Sequence, residues 1–301
     1  MRLYSALDHI ARSLWLNQYD QENLMAMLYS AYFDASGKKE THASITVAGA
    51  VAPLKKWARF ERDWKIILDE YGVGEFHATD FASSLGEYRG WKGEKAKRSE
   101  FLKRLGQVTR STVNKLFIVT VEMDAWKTVN DRYLLAEVFH SPYAIAGYSA
   151  VHMVKRWARR KEIRSPIEFF FEDGDGDRDW AGLTALCARE NIIPIRLPKT
   201  RAIPCQVGDM LAWKTRTASQ NTLVINKKLD SSTYNPDLFR QVIEELKSLD
   251  KALVKPADNA VFSPDAMLRT CVKSNIPRRS GIHPTPTAVH LSHEDRHGRH
   301  D

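Results

Sequence analysis

Three acidic positions carry most of the chemistry this sequence offers. Asp34, in Tyr32-Phe33-Asp34-Ala35-Ser36-Gly37, closes an apolar segment over 28–33 where a strand runs into a turn. Phe169-Phe170-Phe171-Glu172-Asp173 repeats that pattern, a strand that stops on carboxylates. In Cys205-Gln206-Val207-Gly208-Asp209-Met210-Leu211 an acid stands among apolar helix residues. Each has an ordinary use alone. Asp34 suits an Asx turn, Glu172 and Asp173 a solvated acidic loop, and Asp209 a helix first turn. Brought together, acids repel one another unless a cation lies between them, so the trio reads as a metal site. Oxygen donors without a nearby cysteine or paired histidine favour Mg²⁺ or Mn²⁺ over zinc. Two such ions ~4 Å apart hold a phosphodiester, activate water and stabilise the leaving oxygen.

Further residues extend this set. Asp173 rivals Glu172 as the strand-end ligand. Gln206 lies three residues before Asp209, so both share a helix face, and Gln206 reads as a substrate contact. His77, in Glu75-Phe76-His77-Ala78-Thr79-Asp80, is a candidate general base or phosphate contact, with Asp80 to assist it. Arg89 and Trp91 stand in a polar, glycine-containing stretch over 83–93, where a loop can clamp substrate and Trp91 can stack a base. The acidic run over 172–177 does not follow the calcium-loop pattern. Counting from Asp173, its sixth position is Arg178 rather than glycine and its twelfth is Thr184 rather than glutamate. No P-loop, H-E-x-x-H, G-x-S-x-G or G-x-G-x-x-G pattern occurs.

Length and composition bound the rest. The chain has 301 residues, enough for one large domain or two small ones, and 43% of them are apolar. Its formal net charge is +8, which suits a polyanion, with nucleic acid ahead of a membrane surface. The three cysteines are far apart, so neither a zinc ribbon nor a disulfide framework is expected, and a reduced, cytoplasmic compartment fits. No apolar run reaches ~18 residues, so no membrane span is expected. Arg12, Asn17, Asp20 and Glu22 interrupt any signal-peptide core.

The elements that must position the acids follow from periodicity. Residues 1–27 read as a helical extension. Residues 28–33 and 44–51 flank a turn and predict an antiparallel hairpin. A helix is expected over 53–71, a short connection over 75–81, a loop over 83–93 and a basic helix over 94–108. A buried strand is expected over 116–123. Ser141-Pro142 is a helix start, cap then proline, for a helix reaching Lys161 that buries Ile145, Tyr148, Val151, His152 and Trp157. A strand over 167–171, a helix over 179–190 and a strand over 192–197 come next, and Pro204 opens the helix of Gln206 and Asp209. Residues 217–255 read as a linker and one amphipathic helix. Residues 256–301, rich in Pro, His, Ser and Arg toward the end, read as a disordered basic tail. This order favours a layered α/β domain over 28–216.

The motifs at Asp34, at His77, at Glu172 and at Gln206 to Ala212 occur in an order that resembles the DUF3800 family over roughly residues 28–216. The resemblance implies a ribonuclease H-like mixed sheet flanked by helices, here with helical N- and C-terminal extensions, and a metal-dependent nuclease. It implies Asp34, Glu172 and Asp209 as ligands. The chain departs from the pattern at Ala35, where the family carries a second acid, and at Gly208, where it carries alanine. The function expected is phosphodiester hydrolysis of DNA or RNA. The alternatives are a non-catalytic nucleic-acid-binding protein of the same fold, or a nucleotide hydrolase of the actin-like branch. The lack of a glycine-rich phosphate loop after Asp34 argues against the latter.

Overall fold

The computed structural model describes residues 28–37, 43–174, 176–198, 203–228, 259–274 and 276–278. Its centre is a six-stranded sheet. The strands are β1 (Tyr29–Ser36), β2 (Ser44–Pro53), β3 (Lys115–Glu122), β4 (Ile167–Glu172), β5 (Ile195–Leu197) and β6 (Asn259–Phe262), in the spatial order β5-β4-β1-β2-β3-β6. β2 alone runs against the others: it is antiparallel to β1 and β3, while β4, β5 and β6 join as parallel neighbours. An antiparallel β1-β2-β3 meander continued by parallel β4 and β5 is the ribonuclease H-like arrangement.

Helices cover both faces. On one side lie α1 (Leu54–Tyr71), α2 (Ala78–Ser83), α3 (Lys95–Thr112) and α8 (Cys205–Lys228). On the other lie α4 (Met123–Asn130), α5 (Leu135–Phe139), α6 (Pro142–Arg160), α7 (Asp177–Ala188) and α9 (Pro264–Lys273). Strand alternation divides the sheet between them. Ala48, Ala50, Ala52, Leu116 and Ile118 face the α1/α8 layer, and Phe33, Val47, Val51, Phe117 and Val119 face the α6 layer. β2 is buried along nearly its whole length, as a central strand covered on both faces must be.

Local sequence explains the main helices. α1 buries Trp57, Phe60, Trp64, Ile67 and Leu68 at helical spacing, each contributing about 1.5–3 kcal/mol for a side chain taken from water. Lys55, Lys56, Arg59, Arg62 and Lys65 stay on its wet side. α6 begins as its sequence requires, with the Ala144 N–H donating to Ser141 Oγ at 3.1 Å and Pro142 in the first turn.

Several expectations change. α8 continues as helix to Lys228, so 217–228 is not linker. Asn259–Phe262 pairs with β3, and α9 buries Met267 and Cys271, so the sheet recruits part of the expected tail. A 3₁₀ helix, Gly86–Trp91, occupies the expected loop over 83–93. α4 and α5 went unread, being single short stretches whose apolar faces are clear only against the sheet. Tyr148 and His152 of α6 are half-exposed rather than core. Tyr148 donates to Glu190 Oε1 at 2.8 Å, and His152 Nε2 stands 2.7 Å from the same oxygen, at ion-pair distance but outside hydrogen-bond alignment. The extension over 1–27, the amphipathic helix over 238–249 and the segment over 279–301 lie outside the described residues.

Candidate active site

Asp34 and Glu172 follow Phe33 and Phe171, which are register partners on neighbouring parallel strands. The two acids therefore stand side by side at the carboxyl ends of β1 and β4, where strands in a sheet lie about 4.8 Å apart. Alternation puts both on the side of Tyr32 and Phe170, whose rings stack at 4.7 Å, and of Ala48, the register partner of Asp34. That is the face on which α8 lies. Such strand ends are where open α/β sheets place their sites. Both acids are half-buried, and Asp34 Oδ1 accepts from the Ala35 N–H at 2.7 Å.

Gly208 lets α8 come this close. A Cβ there would meet Ala48 O at 2.7 Å and Asp34 N at 2.8 Å, inside normal contact. At the start of the same helix, Cys205 is fully buried, and its thiol is pushed well up by burial and then by the negative charges of Asp34 and Glu172. The thiol is held protonated beside both carboxylates, which removes it as a nucleophile.

Asp209 follows Gly208 and is only 7% exposed. Its Oδ2 accepts from the Ala78 N–H at 2.7 Å. Gln206, one turn earlier, is equally enclosed, and its Oε1 accepts from Trp64 Nε1 at 2.8 Å and from the Phe76 N–H at 2.9 Å. Its acceptor serves the fold, so the expectation of Gln206 as a substrate contact gives way to an internal role. Between the two anchored peptides sits His77, half-exposed, with Nδ1 3.3 Å from Asp80 Oδ2. Tyr88 donates to Glu75 O at 3.2 Å. Burial raises its phenol, with Glu87, Asp209 and Asp80 adding to the effect.

Other predicted residues fall elsewhere. Asp173 pairs with Arg196 Nη2, and its N–H donates to Leu197 O, so it is committed to the β5 edge. Alternation turns it away from Glu172. Trp91 is 4% exposed, packed against Tyr71, Phe81, Tyr88 and Phe101, with Lys97 Nζ 4.2 Å from its ring centre. It is core, and its expected role in base stacking falls. Polar neighbours in sequence hid a tryptophan that a 3₁₀ helix folds inward. Arg89 is exposed on that helix.

Two residues were not anticipated. Arg216 of α8 is buried, and its Nε donates to Ser36 Oγ at 2.9 Å. Its signal was position, two helical turns beyond Asp209. Glu122 ends β3 opposite Ser44 on the α8 face, its carboxyl raised by burial and then by Asp124. It is two strands away from Asp34.

The donor chemistry of Asp34 and Glu172 fits a hard divalent cation. Mg²⁺ is commonly held by one or two carboxylates, with water or phosphate oxygens filling its other positions. Among the described residues, no three or more His, Cys, Asp or Glu side chains converge as a group able to hold a metal ion. Asp209 is engaged with Ala78 instead. The fit is thus that of a two-carboxylate site with a third acid close by on α8.

No family model matches the chain. No curated relative matches it either. Among solved structures it is similar to a ribonuclease HIII ("Bst-RNase HIII") in complex with Mn²⁺, with 13% identity and a TM-score of 0.38, covering 67% of this chain and 56% of that one. It is similar to the ribonuclease H2 from Pyrococcus horikoshii OT3, with 15% identity and a TM-score of 0.38, over 76% of this chain and 91% of that one. It is also similar to a structure of the PCNA:RNase HII complex from Archaeoglobus fulgidus, with 13% identity and a TM-score of 0.37, over 76% and 92%. The chain spans just over half the length of the first of these. Strand order and direction carry the fold assignment. No helix among the described residues is long and apolar enough to cross a membrane.

Proposed function

We propose that this chain is a divalent-metal-dependent phosphodiesterase that cleaves DNA or RNA, of the kind its motifs' resemblance to DUF3800 implies. The observation that carries the reading is the pairing of Asp34 and Glu172 at adjacent parallel strand ends, under the helix that brings Asp209. Asp34 and Glu172 would hold Mg²⁺ or Mn²⁺, with Asp209 the third acid. The ion, when bound, neutralises phosphate charge and makes water a nucleophile near neutral pH.

The chain's own groups do the rest. Asp34 and Glu172 create the negative focus. Asp209 and Gln206 fix the peptide on either side of His77, so the imidazole is presented from a rigid segment. Its Nδ1 faces Asp80, which leaves Nε2 to exchange a proton with a phosphate oxygen or water. Lys92, directly after the 3₁₀ helix that follows α2, and Lys95 and Lys97, in the first turn of α3, are exposed. They suit a phosphate backbone approaching from the His77 side. The basic residues over 155–164 belong to the opposite face, and Lys155 there is bound to Glu190 at 2.8 Å.

The engagement of Asp209 with Ala78 favours a second reading, a non-catalytic nucleic-acid-binding protein. A cleavage panel of single- and double-stranded DNA and RNA, with Mg²⁺ or Mn²⁺ against chelator, separates the two. The nuclease gives metal-dependent products, and the binding protein gives salt-sensitive binding without them.

A further inference from the structure

The turn that follows Asp34 is fastened to α8 by a side chain outside the proposed ligand set. Arg216 stands two helical turns after Asp209, which puts both on one face of α8. Its Nε donates to Ser36 Oγ at 2.9 Å. The chain then folds over the arginine stem. Gly37 has φ +117, and a Cβ there would lie 3.3 Å from Arg216 Cδ and 2.4 Å from Ser44 O, so only glycine fits. Arg216 is 8% exposed. Desolvating a guanidinium costs free energy that packing alone does not return, and here an acidic site lies alongside: the charge of Asp209 acts on Arg216 against the effect of burial.

We propose that Arg216 is a positioning residue that sets the Asp34 carboxylate against Glu172 and Asp209, an inference that rests on the metal-ligand reading of Asp34. It acts through Ser36, two residues beyond Asp34, and touches no substrate. By tying the end of β1 to the helix that carries Asp209, it fixes the spacing between two acids that come from distant parts of the chain. Second partners of this kind orient ligating groups, and their loss commonly costs 10–100-fold in metal affinity.

The test is Mn²⁺ binding to the full chain, read by the electron paramagnetic resonance of free Mn²⁺, which needs no turnover. Arg216→Met, Ser36→Ala and the double variant are compared with wild type, with circular dichroism to follow folding. We expect about 10-fold weaker Mn²⁺ binding for R216M, a smaller loss for S36A, and a double variant no worse than R216M, because the two side chains act as one unit. Arg216→Lys keeps the charge but has no Nε–H at the required place, and it should resemble R216M. A folded R216M with the wild-type Mn²⁺ midpoint overturns the proposal. If R216M does not fold, S36A decides, and an unchanged midpoint there overturns it equally. Wild type that binds no Mn²⁺ removes the metal reading and this proposal together, whereas wild-type binding with unchanged variants removes this proposal alone.

Discussion

Gln206 and Asp209, one turn apart on α8, each take a backbone N–H from the segment that holds His77: Gln206 Oε1 from Phe76 at 2.9 Å and Asp209 Oδ2 from Ala78 at 2.7 Å. A helix face thereby grips an extended peptide at alternate residues, as a sheet edge would. The third acid of the candidate site and the histidine most suited to proton transfer share one rigid frame.

The first prediction concerns that frame. Gln206→Leu removes the acceptor for both Trp64 Nε1 and the Phe76 N–H, leaving two buried donors unpaired. Each costs about 1–3 kcal/mol, so denaturant unfolding should show a loss of about 2–6 kcal/mol. Were Gln206 a substrate contact instead, stability would stay near wild type while nucleic-acid affinity fell.

Trp91 gives a second prediction. As core among Tyr71, Phe81, Tyr88 and Phe101, it should cost about 3–5 kcal/mol on replacement by alanine. Arg89→Ala, at an exposed neighbour, should leave unfolding within about 0.5 kcal/mol of wild type. Equal stability of the two variants would return Trp91 to the surface.

Gly208→Ala is a third. Alanine is the residue the resembled family carries there, yet in this chain its Cβ would press on Ala48 O and Asp34 N. Overpacking of this kind costs about 1–3 kcal/mol. An unchanged unfolding midpoint would mean that α8 does not approach β1 as closely as described.

The back face yields a pH prediction. The Glu190 carboxyl is held below the usual range by Lys155, then Tyr148 and His152. A depressed carboxylate contributes stability above its unfolded pKa, and that contribution is lost as pH falls through the lower folded value. Thermal unfolding of wild type should therefore lose more than Glu190→Gln as pH is lowered from about 5 toward 3. Parallel pH profiles would show that the contacts of Glu190 with Tyr148, His152 and Lys155 contribute nothing.

Much of the fold was legible because its signals were local. The hairpin of β1 and β2, the Ser141 cap and the aromatic stripe of α1 are each written within a single short stretch of chain. The strand-end acids were legible too, since Asp34 and Glu172 break apolar runs. What escaped depended on distant partners. Trp91 reads as a loop residue until Phe101 and Tyr71 close over it. Gln206 reads as a free polar group until Trp64 reaches it across the chain. Arg216 reads as one more basic residue until Ser36 meets it. β6 is four residues long and becomes a strand only because β3 offers an edge.

The central claim is that Asp34 anchors a metal site for phosphodiester cleavage. Its most direct test is Mn²⁺-dependent cleavage of nucleic acid by wild type and by Asp34→Asn, which removes ligand charge with little change in volume. The account predicts products from wild type that vanish with chelator, and none from a D34N protein whose circular dichroism matches wild type. Cleavage by D34N at the wild-type rate would contradict it.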